Sequence, residues 1–197
     1  MSTNPSRVPP LAPRDWPAGM AETLAATLRP ENPRHPVPPR DPGSPSGLNA
    51  MGVLAHHPEL TAAYNQLIRH ALYFSTITPR QRELLVLRVA HLRGSTYEWA
   101  QHVYQSGVAG LTPAEVARVR VGPSDPEWAP LERALLAAAD ELVADARIGE
   151  ETYKALSAGF DTRQLMDVVF TVGAYEVFAM AMRTFDVELD DDLRPYA

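Results

Sequence analysis

The chain has 197 residues, with 18 Lys and Arg against 24 Asp and Glu, for a net charge of −6. That length suits one domain or two small repeats around a shared core. The acidic balance argues against sequence-independent nucleic-acid binding, which needs a basic stripe. There is no cysteine, which excludes disulfides, thiolate metal sites and thiol-based redox steps.

Residues 1–48 hold twelve of the nineteen prolines. Pro9-Pro10, Pro38-Pro39 and the run from Asp41 to Pro45 forbid long helix or paired strand. One short helix is expected between Pro17 and Pro30, with Met20, Leu24 and Leu28 at spacing four. The segment reads as an arm that wraps its own body or a neighbouring subunit, with a solvated tail as the alternative. Val8, Leu11 and Trp16 favour docking, because such anchors are rare in a purely solvated tail. The N-terminus has no basic-then-apolar leader, so a cytoplasmic location is expected. No stretch reads as approaching the roughly 20 apolar residues of a membrane span.

From residue 49 onward the pattern is helical, without strand alternation. It predicts helices over 49–56, 58–74, 79–93, 95–108, 112–119, 127–145, 149–158, 161–172 and 173–185. Thr78-Pro79 and Thr112-Pro113-Ala114-Glu115 carry cap chemistry, and Asp161 or Thr162 opens a later helix. Gly94 and Gly107 read as terminators. The short loops make successive helices roughly antiparallel. A faint repeat aligns Thr78–Leu87 with Thr162–Thr171 at an offset of 84. Glu83 then maps to Asp167 and His91 to Tyr175, while Ser95, Glu98 and His102 map to Ala179, Met182 and Asp186. The expected organisation is an arm over 1–48 and a helical body over 49–197, with halves near 49–125 and 126–190, only the first chemically equipped.

The chemistry concentrates in Arg82-Glu83 and Ser95–His102. Ser95, Glu98 and His102 stand at i, i+3 and i+7 on one helical face. A carboxylate one turn from a histidine can hold, pass and return a proton near neutral pH. Glu83 lies about 40° around its helix from Leu87, near the apolar side, where desolvation raises a carboxylate's pKa unless it is paired. An ordinary ion pair is the alternative. Tyr97, Trp99, Val103 and Tyr104 surround Glu98 and His102 with the bulk of a pocket wall, or of plain core packing. His56-His57-Pro58-Glu59 reads as a helix junction in preference to a metal fragment. His70 and His91 read as structural or surface histidines, and Asp190-Asp191-Asp192 as a solvated acidic tail.

Leu54–Leu60, Arg82–Ala90, Tyr97–His102, Gly110–Thr112 and the segment from Glu132 together resemble the carboxymuconolactone decarboxylase and alkyl hydroperoxidase D (AhpD) superfamily. The likeness covers most of residues 48–190. It implies an all-α fold, a site on a helix pair and a homo-oligomer (dimer, trimer or hexamer) with sites near subunit contacts. In the peroxidase branch the motif is a glutamate, a Cys-x-x-Cys and a histidine. By position these are Glu83, then Ser95 and Glu98 in place of the cysteines, then His102. Peroxide reduction cycles through sulfenic acid and disulfide, so the substitutions disfavour it. Many decarboxylase-like members keep a glutamate at the position of Glu98 and a cysteine at that of Ser95. That branch implies proton transfer without metal or organic cofactor.

The expected function is a lyase or isomerase acting on a small lactone, keto acid or polyketide-like compound by decarboxylation, dehydration or double-bond migration. The alternative is a non-catalytic small-ligand-binding or assembly protein on the same fold. The expected roles are His102 as general acid/base, Glu98 orienting it and Glu83 as second relay. Ser95, Tyr97, Arg80, Arg88 and His91 are expected to contact substrate. No metal, cofactor, nucleic acid or membrane partner is expected.

Overall fold

The computed structural model describes residues 6–25, 30–35 and 43–197, and among them it is helical without strands. The helices are α1 (Met20–Ala25), α2 (Leu48–Leu54), α3 (Pro58–Arg69), α4 (Pro79–Arg93), α5 (Thr96–Val108), α6 (Pro113–Val121), α7 (Pro130–Asp145), α8 (Glu150–Ser157) and α9 (Thr162–Thr184). A π turn, His70–Phe74, continues α3, and short 3-10 turns lie at Pro13–Asp15 and Asp191–Tyr196.

Three helix starts carry complete capping boxes: Thr78 with Gln81, Thr112 with Glu115, and Asp161 with Gln164. Each satisfies backbone donors that a first turn leaves free. Gly94 ends α4 at φ +60, as expected. Gly107 does not end α5; the chain turns at Gly110, φ +87, just beyond its end.

Helix α4 is the centre of the body. Every residue from Arg82 to Ala90 is buried, because α5, α7 and α9 pack around it. One core lies between α4, α7 and α9, around Leu85, Val89, Leu135, Leu156 and Val172. Another joins α4 to α5 and α6, around Leu84, Leu87, Trp99, Val119 and Trp128.

Two expectations fail along α9. It is one helix from Thr162 to Thr184, with no break between residues 172 and 173. Gly173 is in mid-helix with open space about its missing Cβ, and the packed length on either side carries the helix through. By length and composition α9 could also cross a membrane, with a mean hydropathy of 1.5, which corrects the reading that no stretch approaches a span. Its apolar character serves the core, since it packs on α4 and α7, and its acidic residues are held internally. Asp167 accepts from Thr76 and His70, and Glu176 binds Arg93.

Where it is described, the arm docks on its own body. Arg7 N donates to Phe185 O at 2.9 Å and Leu11 N to Gly52 O at 3.1 Å, and Met20 is fully buried. Leu28 of the expected early helix lies outside the described residues. A Cβ at Gly52 would sit 2.6 Å from Leu11 O and 2.8 Å from Pro10. Gly52→Leu should therefore displace the arm, and limited proteolysis should cut it faster than in the wild type.

The acidic run is not a solvated tail. Asp190 accepts from Asn49 N at 3.0 Å, and Asp192 from Ser46 N at 2.9 Å. These carboxylates hold the start of α2, as anions do at helix N-termini.

Candidate active site

The capping box at Thr78 sets the register of α4 and brings Glu83 into the interior facing α5. Glu83 is fully buried, and both oxygens are engaged. Oε2 lies 2.7 Å from His102 Nδ1, and Oε1 accepts from Arg82 Nε at 2.9 Å. Arg82 is itself buried and donates to Leu72 O at 3.2 Å. The π turn, whose wider hydrogen-bond register loosens the backbone, therefore supplies the carbonyl that anchors Arg82. Burial pushes the Glu83 carboxyl up, but His102 and Arg82 outweigh it and hold its pKa below the ordinary value. An ionised Glu83 only accepts, so His102 Nδ1 carries a proton. In the neutral ring Nε2 then has the lone pair. The Tyr175 ring stands edge-on to the imidazole, with centroids 4.9 Å apart and planes at 90°.

Glu98 does not orient His102. Both its carboxyl oxygens are buried and unpartnered, as is the Ser95 hydroxyl. Helical side chains lean toward the N-terminus, so Glu98 turns back toward Ser95 while Glu83 takes the imidazole from the neighbouring helix. Burial pushes the Glu98 pKa well above the carboxylate range. The adjacent Ser95 hydroxyl opposes the rise, without reaching hydrogen-bond geometry, and Glu176 adds to it. An unsatisfied buried polar group costs about 1–3 kcal/mol, so this corner stores a penalty that the Glu83–His102 pair does not.

The expected substrate contacts divide. Ser95 is beside Glu98, as the N-cap residue of α5 without a side-chain cap bond. Tyr97 is committed elsewhere: its hydroxyl donates to Asp190 at 2.5 Å and accepts from Ala50 N at 3.2 Å. Arg80 is held by Glu115 and Glu132, and Arg80 pulls the Glu115 carboxyl down to about 2. Arg88 forks onto both oxygens of Asp140 and donates to Val119 O and Arg120 O at 2.9 Å each. A Cβ at Gly122 would strike that guanidinium at 2.4 Å. Both arginines are ties between helices, not free carboxylate holders. His91 is on the surface against Trp99, with centroids 6.2 Å apart, about 12 Å along α4 from Glu83 at 1.5 Å per residue. His56 and His57 are a junction: His56 Nε2 lies 2.9 Å from Pro9 O, and His57 Nδ1 caps Leu60 N.

Sequence reasoning missed Arg82 and Tyr175 as members of the site. In the sequence, Arg82 is one of several ordinary ion-pair partners open to Glu83, beside Arg80 and the following helix. Tyr175 is 73 positions beyond His102, and no local pattern ties the two.

The carboxymuconolactone decarboxylase family profile matches residues 58–141, a span that contains both Glu83 and His102. That segment is similar to the carboxymuconolactone decarboxylase family, and the fold of the chain is the all-α fold of AhpD-like proteins. Solved structures share its fold at low identity. The debrominase Bmp8 superposes with a TM-score of 0.74 at 13% identity, covering 96% of this chain and 95% of that one. A cysteine-to-alanine variant of Bmp8 has been solved with 2,3,4-tribromopyrrole, and it matches at TM-score 0.74 and 14% identity over 100% and 97% of the two chains. A protein of unknown function from Agrobacterium tumefaciens, whose name links it to antioxidant-defence AhpD, gives a TM-score of 0.65 at 22% identity over 70% of this chain and 94% of its own. No curated protein matched the sequence.

Proposed function

We propose that the protein is a cofactor-independent lyase or isomerase that moves a proton on a small lactone, keto acid or polyketide-like substrate. The observation that carries this reading is the buried Glu83–His102 bond of 2.7 Å, braced by Arg82. His102 Nε2 takes a proton from the carbon next to a carbonyl. The electron pair of that C–H bond forms a C=C bond, and charge moves onto the carbonyl oxygen. Glu83 stabilises the imidazolium, and return of the proton to another carbon or to a leaving group completes migration or elimination. Decarboxylation uses the same enolate: the carboxyl group's own proton passes to Nε2, CO₂ leaves, and the imidazolium returns the proton to carbon. A thiol step has no residue to run on, since the chain has no cysteine. The comparison with Bmp8 supports a small-molecule site on this fold, not its debromination chemistry.

The test is exchange of carbon-bound protons in D₂O, followed by NMR over a panel of small lactones and keto acids. Exchange well above the enzyme-free rate is expected for at least one compound. A panel that never exceeds the blank would remove the enzyme reading in favour of a ligand-binding protein on the same fold. The small exposure of His102, 6%, is the observation on that second reading's side.

The same reading includes self-association. Met166, Phe170, Val177 and Met180 are each more than half exposed along α9. A shallow apolar groove of about 230 Å³ beside them is lined by Leu67, Val169, Phe170, Gly173 and Ala174. Such a stripe is costly in water and suits a contact between copies. Phe170→Asp with Met180→Asp should lower the mass measured by light scattering, and an unchanged mass would rule this face out.

A further inference from the structure

We propose that Ser95 and Glu98 form a two-donor subsite that takes the neutral carbonyl oxygen of the substrate, one to two helical turns before the His102 base. The proposal rests on the proton-transfer reading and names the substrate group it acts on.

Three observations converge on it. Ser95 is 1% exposed and Glu98 0%, yet Ser95 Oγ and both Glu98 oxygens lack hydrogen-bond partners. Interiors seldom leave such atoms unsatisfied, and an orphaned set at one point signals a missing partner. Ser95 is also the N-cap residue of the thirteen-residue α5, and its hydroxyl is not used as a cap. The first-turn N–H groups of a helix point toward its N-terminus, the end of α5 at which Ser95 and Glu98 stand. Finally, among the described residues no free cation faces Glu98. Tyr64 from α3 and Tyr175 and Glu176 from α9 face it, none of them positive, and Arg82 on α4 is taken by Glu83. Burial without a counter-charge keeps Glu98 protonated and therefore able to donate.

These features select the ligand. A carboxylate entering here would find no free cation to receive it, since Arg82 is taken by Glu83 and Arg93 by Glu176. A neutral ketone, lactone or ester oxygen accepts from both hydroxyls. As His102 removes the neighbouring proton, the negative charge growing on that oxygen falls where two donors already point.

The test uses the full chain and cyclopentanone labelled with ¹³C at the carbonyl, with cyclopentanecarboxylate as the anionic counterpart. In the wild type at mildly acidic pH, saturating cyclopentanone should give a bound carbonyl band at lower frequency, and the carboxylate should not compete. Ser95→Ala should reduce the shift. Raising the pH should abolish it in the wild type, as Glu98 ionises and stops donating. Glu98→Gln keeps an N–H donor without titrating, so its shift should survive that change. No shifted band, a band indifferent to both substitutions, or a Glu98→Gln band with the wild-type pH profile would overturn the proposal. His102→Gln should leave the shift in place, which separates the two readings. A shift without proton exchange on any lactone or keto acid discards the proton-transfer function and keeps the subsite. Exchange without a shift discards the subsite.

Discussion

Glu83→Ala should destabilise the protein by about 3–5 kcal/mol, the usual effect of removing one partner from a buried ion pair. The carboxylate answers a buried guanidinium and a buried imidazole at once, and its loss leaves Arg82 charged in the interior with only Leu72 O to receive it. Glu83→Gln keeps the shape and an acceptor for Nδ1 but not the charge, so it should fall between alanine and wild type. The pH dependence follows from the direction of the pKa. Glu83 is held below its ordinary value, about 4.3 when unperturbed. Its contribution is therefore present above that value and is lost as pH falls through the folded-state pKa. Glu98 acts in the opposite sense. Its raised pKa makes the folded state hold a proton that the unfolded chain releases, so its contribution declines as pH rises from about 4. Urea unfolding at several pH values reads both. Glu83→Ala should flatten the acid limb. A Glu83→Ala variant less than about 1 kcal/mol from wild type, below the range for a broken buried pair, would remove the pair from its central place.

His102→Gln should lower turnover by about 10²–10⁴-fold, the range for loss of a positioned acid/base, on any compound the wild type converts. Glutamine can still donate an N–H toward Glu83, so the buried carboxylate is not orphaned and the fold should survive. The loss should fall on kcat more than on KM, because Nε2 acts on the proton in flight and not on the bound ground state. Unfolding measured on the same sample separates a chemical defect from a structural one. Near-normal turnover with a folded His102→Gln protein would take the proton away from this histidine.

The helical body was legible in the sequence because its signals are local. The boxes at Thr78 and Thr112 and the αL stop at Gly94 mark ends within a turn, and the spacing of Glu83 from Leu87 placed a carboxylate toward the core. What was not legible depends on partners distant in sequence. The periodicity that put Glu98 and His102 on one face carries no information on where each side chain leans, so the pairing of His102 with Glu83, nineteen residues earlier, came only from the packing of α5 on α4. Arg80 and Arg88 looked free because their partners, Glu132 and Asp140, lie 52 residues away. The aspartates at 190 and 192 looked like a tail because the backbone amides they cap are more than 140 positions earlier. The split expected between residues 172 and 173 is absent because α9 is packed along its length on α4 and α7.

The proposed chemistry turns on the state of one ring. The measurement that tests it most directly is the tautomer of His102, read from ¹⁵N shifts and long-range couplings of the imidazole in the full-length protein. An ionised Glu83 predicts the neutral ring protonated at Nδ1, with Nε2 free to take a proton. A neutral ring protonated at Nε2, its Nδ1 lone pair facing a protonated Glu83, would contradict the account and leave the pair as a structural tie.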